Sequence, residues 1–111
     1  MAYYFPGAEG VERSFSGVTI RNLIAGPERT VSVAAVNLDG VHPPSISKLS
    51  DRAYYIIRGE VEVTVGSETF VASSGDAVFV PKATRHSLVG KAEYVVVNVP
   101  PFDPSAEEAA D

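Results

Sequence analysis

One hundred and eleven residues, 45% hydrophobic and 21% charged, make a single globular domain, because two halves of that size would each be too small to sustain a core. The net charge of −5 is concentrated in Asp103, Glu107, Glu108 and Asp111, so residues 1–102 are nearly neutral and carry no basic stripe for nucleic acid or anionic lipid. The absence of cysteine excludes disulfides, thiolate metal sites and a cysteine nucleophile, and with no signal-like or membrane-length apolar run it leads us to expect a cytoplasmic protein.

In chain order the pattern is β throughout. A first strand is expected near Val11–Phe15, followed by strands at 18–25, 31–38, 53–58, 61–65, 69–72, 77–80, 84–89 and 93–99. In 61–65 the valines Val61, Val63 and Val65 alternate with Glu62 and Thr64, as in a half-buried strand, and Gly66-Ser67 supplies a two-residue turn. Pro100, Pro101 and Pro104 end the last strand, since proline cannot donate to a ladder. Beyond them only residues 105–111 have helical composition, too short a run for a stable helix, and a frayed, solvated acidic tail is expected over 103–111. The apolar Tyr3, Tyr4 and Phe5 lead us to expect an N-terminal arm, residues 1–16, that contributes to a homodimer contact. Eight or nine short strands must close into a sandwich or barrel to limit their edges.

Residues 75–90, GDAVFVPKATRHSLVG, resemble the second motif of the cupin family, G-x5-P-x-G-x2-H-x3-N. Gly75, Pro81 and His86 stand in register, whereas Ala83 replaces a glycine and Gly90 the asparagine. Upstream, Gly59 resembles the closing glycine of the first motif, G-x5-H-x-H-x3,4-E-x6-G, with Gly40 a candidate for its first. The similarity covers roughly residues 30–99 and implies a jelly-roll β-barrel of about eight to ten antiparallel strands spanning residues 1–102, commonly dimeric, with a ligand or metal at its centre.

The departures bear on function. The family binds Fe, Mn, Ni or Zn through three imidazoles and a carboxylate. Here the glutamate position falls on Arg52, and the paired histidines fall on Ser45 and Ser47, or on Ile46 and Lys48 under the other spacing. His86 alone is retained, and one imidazole cannot hold a divalent ion usefully. No metal or other cofactor is therefore expected; the alternative is an atypical divalent-metal site built from His86 and His42. Asp51, the natural third ligand, is set against this by strand parity, since it faces away from Arg52.

A guanidinium in place of a carboxylate favours an organic anion over a cation. The candidate ligand-binding residues are thus Arg52, Lys48, Ser47, Tyr54 and His86, with Tyr54 on the face of Arg52 by parity. His86 and Tyr54 are also the candidate catalytic acid and base, an arrangement similar to that of metal-independent cupins that epimerise or isomerise sugars. Two readings follow: a metal-free barrel binding a small organic acid or similar metabolite, and a small isomerase, epimerase, cyclase or lyase. A metal-assisted enzyme is the third. No nucleophile elbow, phosphate loop or dinucleotide fingerprint occurs.

Overall fold

The computed structural model describes residues 3–110. Its strands are β1 (Val11–Phe15), β2 (Val18–Ile24), β3 (Ser32–Ser47), β4 (Asp51–Val65), β5 (Glu68–Ser73), β6 (Ala77–Val80), β7 (His86–Val99) and β8 (Glu107–Ala109). All pair antiparallel, in the order β1-β2-β3-β7-β4-β5, with β6 also on β4 and β8 also on β3. This is the expected all-β jelly-roll barrel, and no described helix is long and apolar enough to cross a membrane.

Three long strands replace the expected shorter ones. The runs 53–58 and 61–65 are one strand, β4, and 84–89 and 93–99 are one strand, β7; β3 likewise continues past Leu38 to Ser47. Gly59 and Gly90, which fall between the expected runs, take φ of +87° and +148° inside continuous strands. Each lies flat against the opposite strand: a Cβ on Gly59 would meet the Lys91 carbonyl, and one on Gly90 the Glu60 carbonyl. These glycines let a strand bend around a barrel without leaving its ladder. Ala83 occupies the left-handed region, φ +62°, at the place where the family motif carries glycine.

Period-two alternation sorts the core. Val61, Val63, Tyr54, Ile56, Val78, Val80, Leu88 and Tyr94 point inward and are buried, whereas Tyr55, Ile57 and Phe79 point out. The β4–β5 hairpin turns at Gly66-Ser67 as expected, with Val65 opposite Glu68.

The acidic tail is neither helical nor free. Residues 104–106 form a single 3-10 turn capped by the Asp103 carboxylate, which accepts from the Ser105 amide, and β8 then lies along β3 with Ser47 opposite Glu107 and Ser45 opposite Ala109. Too few residues were available to nucleate a helix, and the edge of β3 offered ladder partners instead. Of the N-terminal arm, Met1 and Ala2 lie outside the described residues; Phe5 packs beneath the Arg29 guanidinium at 4.9 Å, and Tyr3 and Tyr4 are exposed.

Candidate functional site

A cavity of about 310 Å³ opens at one end of the barrel. Its inner wall comes from β2, β3, β4 and β7, and its mouth from Arg13 and Phe15 of β1, the His42-Pro43-Pro44 bend of β3, and Phe102, Pro104, Glu107 and Ala109. The lining is mostly apolar, with a few convergent polar groups, which is the usual composition of a small-molecule site.

Arg52 anchors the polar side. Strand parity turns it inward with Tyr54, and its side chain is only 5% exposed. Its Nε donates to Asn98 Oδ1 at 2.6 Å, Nη1 to His86 Nε2 at 3.1 Å, and Nη2 to Glu107 Oε1 at 3.0 Å. The guanidinium also lies near the face of Phe102, 5.9 Å from the ring centre. Burial opposes its charge, but the Tyr54 and Glu107 side chains beside it outweigh burial and hold its pKa above the ordinary arginine value.

His86 stands behind this wall. It is wholly buried, does not line the cavity, and donates from Nδ1 to the Thr84 carbonyl at 3.2 Å while Nε2 accepts from Arg52. Burial first, and then the Arg52 charge, push its pKa down to about 4, so at neutral pH it is an uncharged acceptor that orients Arg52. Both ring nitrogens of the retained motif histidine are thus taken, one by the Arg52 guanidinium and the other by the Thr84 carbonyl.

The imidazole on the cavity is His42. Its ring stacks on that of His86 at 6.0 Å and meets Phe15 edge-on at 6.1 Å. Nδ1 lies 3.1 Å from the Pro43 carbonyl, which makes it the protonated nitrogen and leaves a lone pair on Nε2. Burial and, more weakly, the Arg52 charge lower its pKa, so the ring is neutral at pH 7. Tyr54 lines the cavity, with its ring edge-to-face on Tyr94 at 5.3 Å; burial raises the pKa of both phenols and keeps them hydrogen-bond donors. The Ser45 hydroxyl, also on the lining, is buried with no protein partner.

Two expected ligand residues lie elsewhere. Ser47 is buried under the β3–β4 turn, where its Oγ accepts from the Ser50 amide at 3.1 Å, and Lys48 points to solvent and pairs with Glu108 at 3.0 Å. Both are drawn away because β8 occupies that side of β3. Asp51 faces outward, as parity requires, and accepts from the Lys82 amide at 2.9 Å. Glu107 and Asn98 were missed. Asn98 alternates in phase with the buried Tyr94 on β7 and was findable by parity once the pairing with Arg52 was known; Glu107 gave no local signal at all.

Among the described residues no group of three or more His, Cys, Asp or Glu side chains stands together as a metal would need. Both His86 nitrogens are engaged, and a guanidinium sits where the family's carboxylate would be.

An antiparallel jelly-roll barrel with a mostly apolar cavity defines the class. A family model described as the cupin domain matches residues 39–99, more than half of the chain, and the chain belongs to that family. An uncharacterized protein of Streptomyces coelicolor is 32% identical over 62 residues, which span 55% of this chain and 59% of that protein. Among solved structures, a single-substitution variant of Streptomyces PAC13 with uridine superposes with a TM-score of 0.91 at 21% identity, covering 100% of this chain and 92% of that one. A further PAC13 structure, described as that of a nucleoside dehydratase, matches with a TM-score of 0.90 at 22% identity, over 99% and 92% of the two chains. KdgF from Halomonas sp. matches with a TM-score of 0.82 at 22% identity, over 95% of this chain and 99% of that one. At these identities the likeness is one of fold.

Proposed function

We propose that this barrel is a cytoplasmic, metal-independent enzyme that binds a small organic metabolite in the cavity and catalyses an elimination by proton transfer. The observation that carries the reading is the neutral His42 ring on the wall of the apolar cavity that Arg52 and Tyr54 also line, with Nδ1 on the Pro43 carbonyl and no partner for Nε2 among the described residues. In the reaction His42 Nε2 takes a proton from a carbon adjacent to a carbonyl, the C–H electron pair forms the new double bond, and the hydroxyl on the next carbon leaves. That hydroxyl departs with the proton as water, which returns His42 to its neutral form. The Tyr54 phenol donates to the carbonyl oxygen as negative charge gathers there. His86 acts as a positioning residue through Arg52. The resident metal of the family does not fit: the residues that would ligate it are a guanidinium, serines and an imidazole whose nitrogens are both in use. Structural likeness to a nucleoside dehydratase and to a protein solved with uridine favours a nucleoside-like ring over the small organic acid expected from Arg52 alone, and a lyase over a simple carrier.

The test is turnover of β-hydroxycarbonyl derivatives of nucleosides and sugars, followed by the ultraviolet absorbance of the unsaturated product. His42→Phe, which keeps a ring for the stack on His86, is expected to lower kcat ~10²–10⁴-fold while uridine still binds. Full activity in that variant would remove His42 from the chemistry, and binding without turnover of any such compound would return the carrier reading.

We further propose that the protein is a homodimer. The outer faces of β4 and β6 present Tyr55, Ile57 and Phe79 to solvent, an apolar row suited to a second copy.

A further inference from the structure

The C-terminal strand contributes a charge to the cavity, and no other described lining residue supplies one of that sign. The charged lining residues are Arg13, Arg52 and Glu107, and the titratable ones besides are His42, Tyr54 and Tyr94. Arg13 lies at the exposed mouth, spread over the rings of Phe15 at 5.6 Å and Phe102 at 5.2 Å. Arg52 is the buried cation, and two of its three partners, Asn98 and the neutral His86, bring no charge. Its counter-charge is Glu107, held by the Ser47–Glu107 register of β8 on β3. The alternation of β8 divides two adjacent acids between two cations: Glu107 turns in to Arg52, while Glu108 turns out to Lys48 at 3.0 Å. Glu107 therefore occupies the donor edge that an incoming carboxylate or phosphate would need, and repels such a group.

We infer that Glu107 is a specificity-determining residue: by neutralising Arg52 from the C-terminal strand it makes the cavity select uncharged ligands and refuse their anionic analogues. This rests on the reading of the cavity as the ligand site, and it replaces the small organic acid suggested by Arg52 alone with an uncharged polar molecule, a nucleoside rather than a nucleotide. Removing the carboxylate leaves a buried guanidinium with free donors, which is an oxyanion site.

The experiment compares wild type, Glu107→Gln and Glu108→Gln by calorimetric titration with inorganic phosphate, uridine and uridine 5′-monophosphate. Glu107→Gln is expected to bind phosphate and the monophosphate at least tenfold more tightly than wild type, while uridine affinity changes less than threefold. Glu108→Gln loses the same charge from an exposed pair and is expected to match wild type, which separates the local effect from that of net charge. Should the glutamine variant fold poorly, Glu107→Ser frees the same guanidinium with a residue that a strand edge accepts. Equal phosphate affinity in wild type and in the folded Glu107 variants overturns the inference, as does an equal gain in Glu108→Gln. Failure of uridine to bind any of the proteins counts against the cavity reading, and the phosphate comparison then decides the role of Glu107 alone.

Discussion

A histidine that is buried as a neutral acceptor makes a protein sensitive to acid. The folded-state pKa of His86 is about 4 against an ordinary 6.5. Between those values the unfolded chain binds a proton that the folded chain refuses, so stability is fully present above about pH 6.5 and is lost as the pH falls toward 4. That difference corresponds to ~3 kcal/mol, and the lowered pKa of His42 acts in the same direction. Urea unfolding at a series of pH values is expected to show this decline, and His86→Gln is expected to flatten it while costing ~1–3 kcal/mol at pH 7, because Arg52 loses its buried imidazole acceptor. Equal slopes in wild type and variant would show that His86 is not the group responsible.

At the scale of the element, the glycines divide by what lies opposite them. Gly59 and Gly75 have nearly the same backbone, φ +87° and +91°, but Gly59 lies against the Lys91 carbonyl of β7, whereas a Cβ on Gly75 would meet nothing within 4 Å. Alanine at Gly75 should cost only the left-handed conformation, ~1–2 kcal/mol. Alanine at Gly59 must also push β4 off β7 and is expected to cost ~3 kcal/mol or more. Denaturation midpoints of the two variants check this, and equal losses would mean that β4 can move away from β7 freely. The same close approach explains why the expected breaks at Gly59 and Gly90 are bends within continuous strands: glycine was needed for contact with a neighbour, not for a turn.

For the molecule as a whole, a barrel with a radius of gyration of 13.3 Å closes its own core but leaves apolar side chains outside, Tyr55 at 53% and Phe79 at 62% exposure among them. Burying that row against a second copy is expected to give a particle of about 24 kDa, twice the 11.8 kDa chain mass, in light scattering at micromolar concentration. A Phe79→Lys variant is expected to shift the mass toward the monomer without loss of fold. A monomeric wild type would remove the dimer proposal, and the expected contact through residues 1–16 with it.

The period of two along each run, the turn at Gly66-Ser67 and the spacing of Gly75, Pro81 and His86 were enough to define an all-β barrel and to put Arg52 and Tyr54 on one face, because alternation is a local property of extended backbone, but not to say that this face looks inward. They could not tell which imidazole meets the cavity: His42 and His86 are 44 positions apart in sequence, and only the β3–β7 register stacks them and puts one in front of the other. Nor could they pair Arg52 with Glu107, in a segment whose composition suggested a frayed end. A buried guanidinium requires a counter-charge, but the requirement names no partner. The choice fell to whichever carboxylate the closing barrel brought within reach, and that is decided by three ladder pairs on the edge of β3.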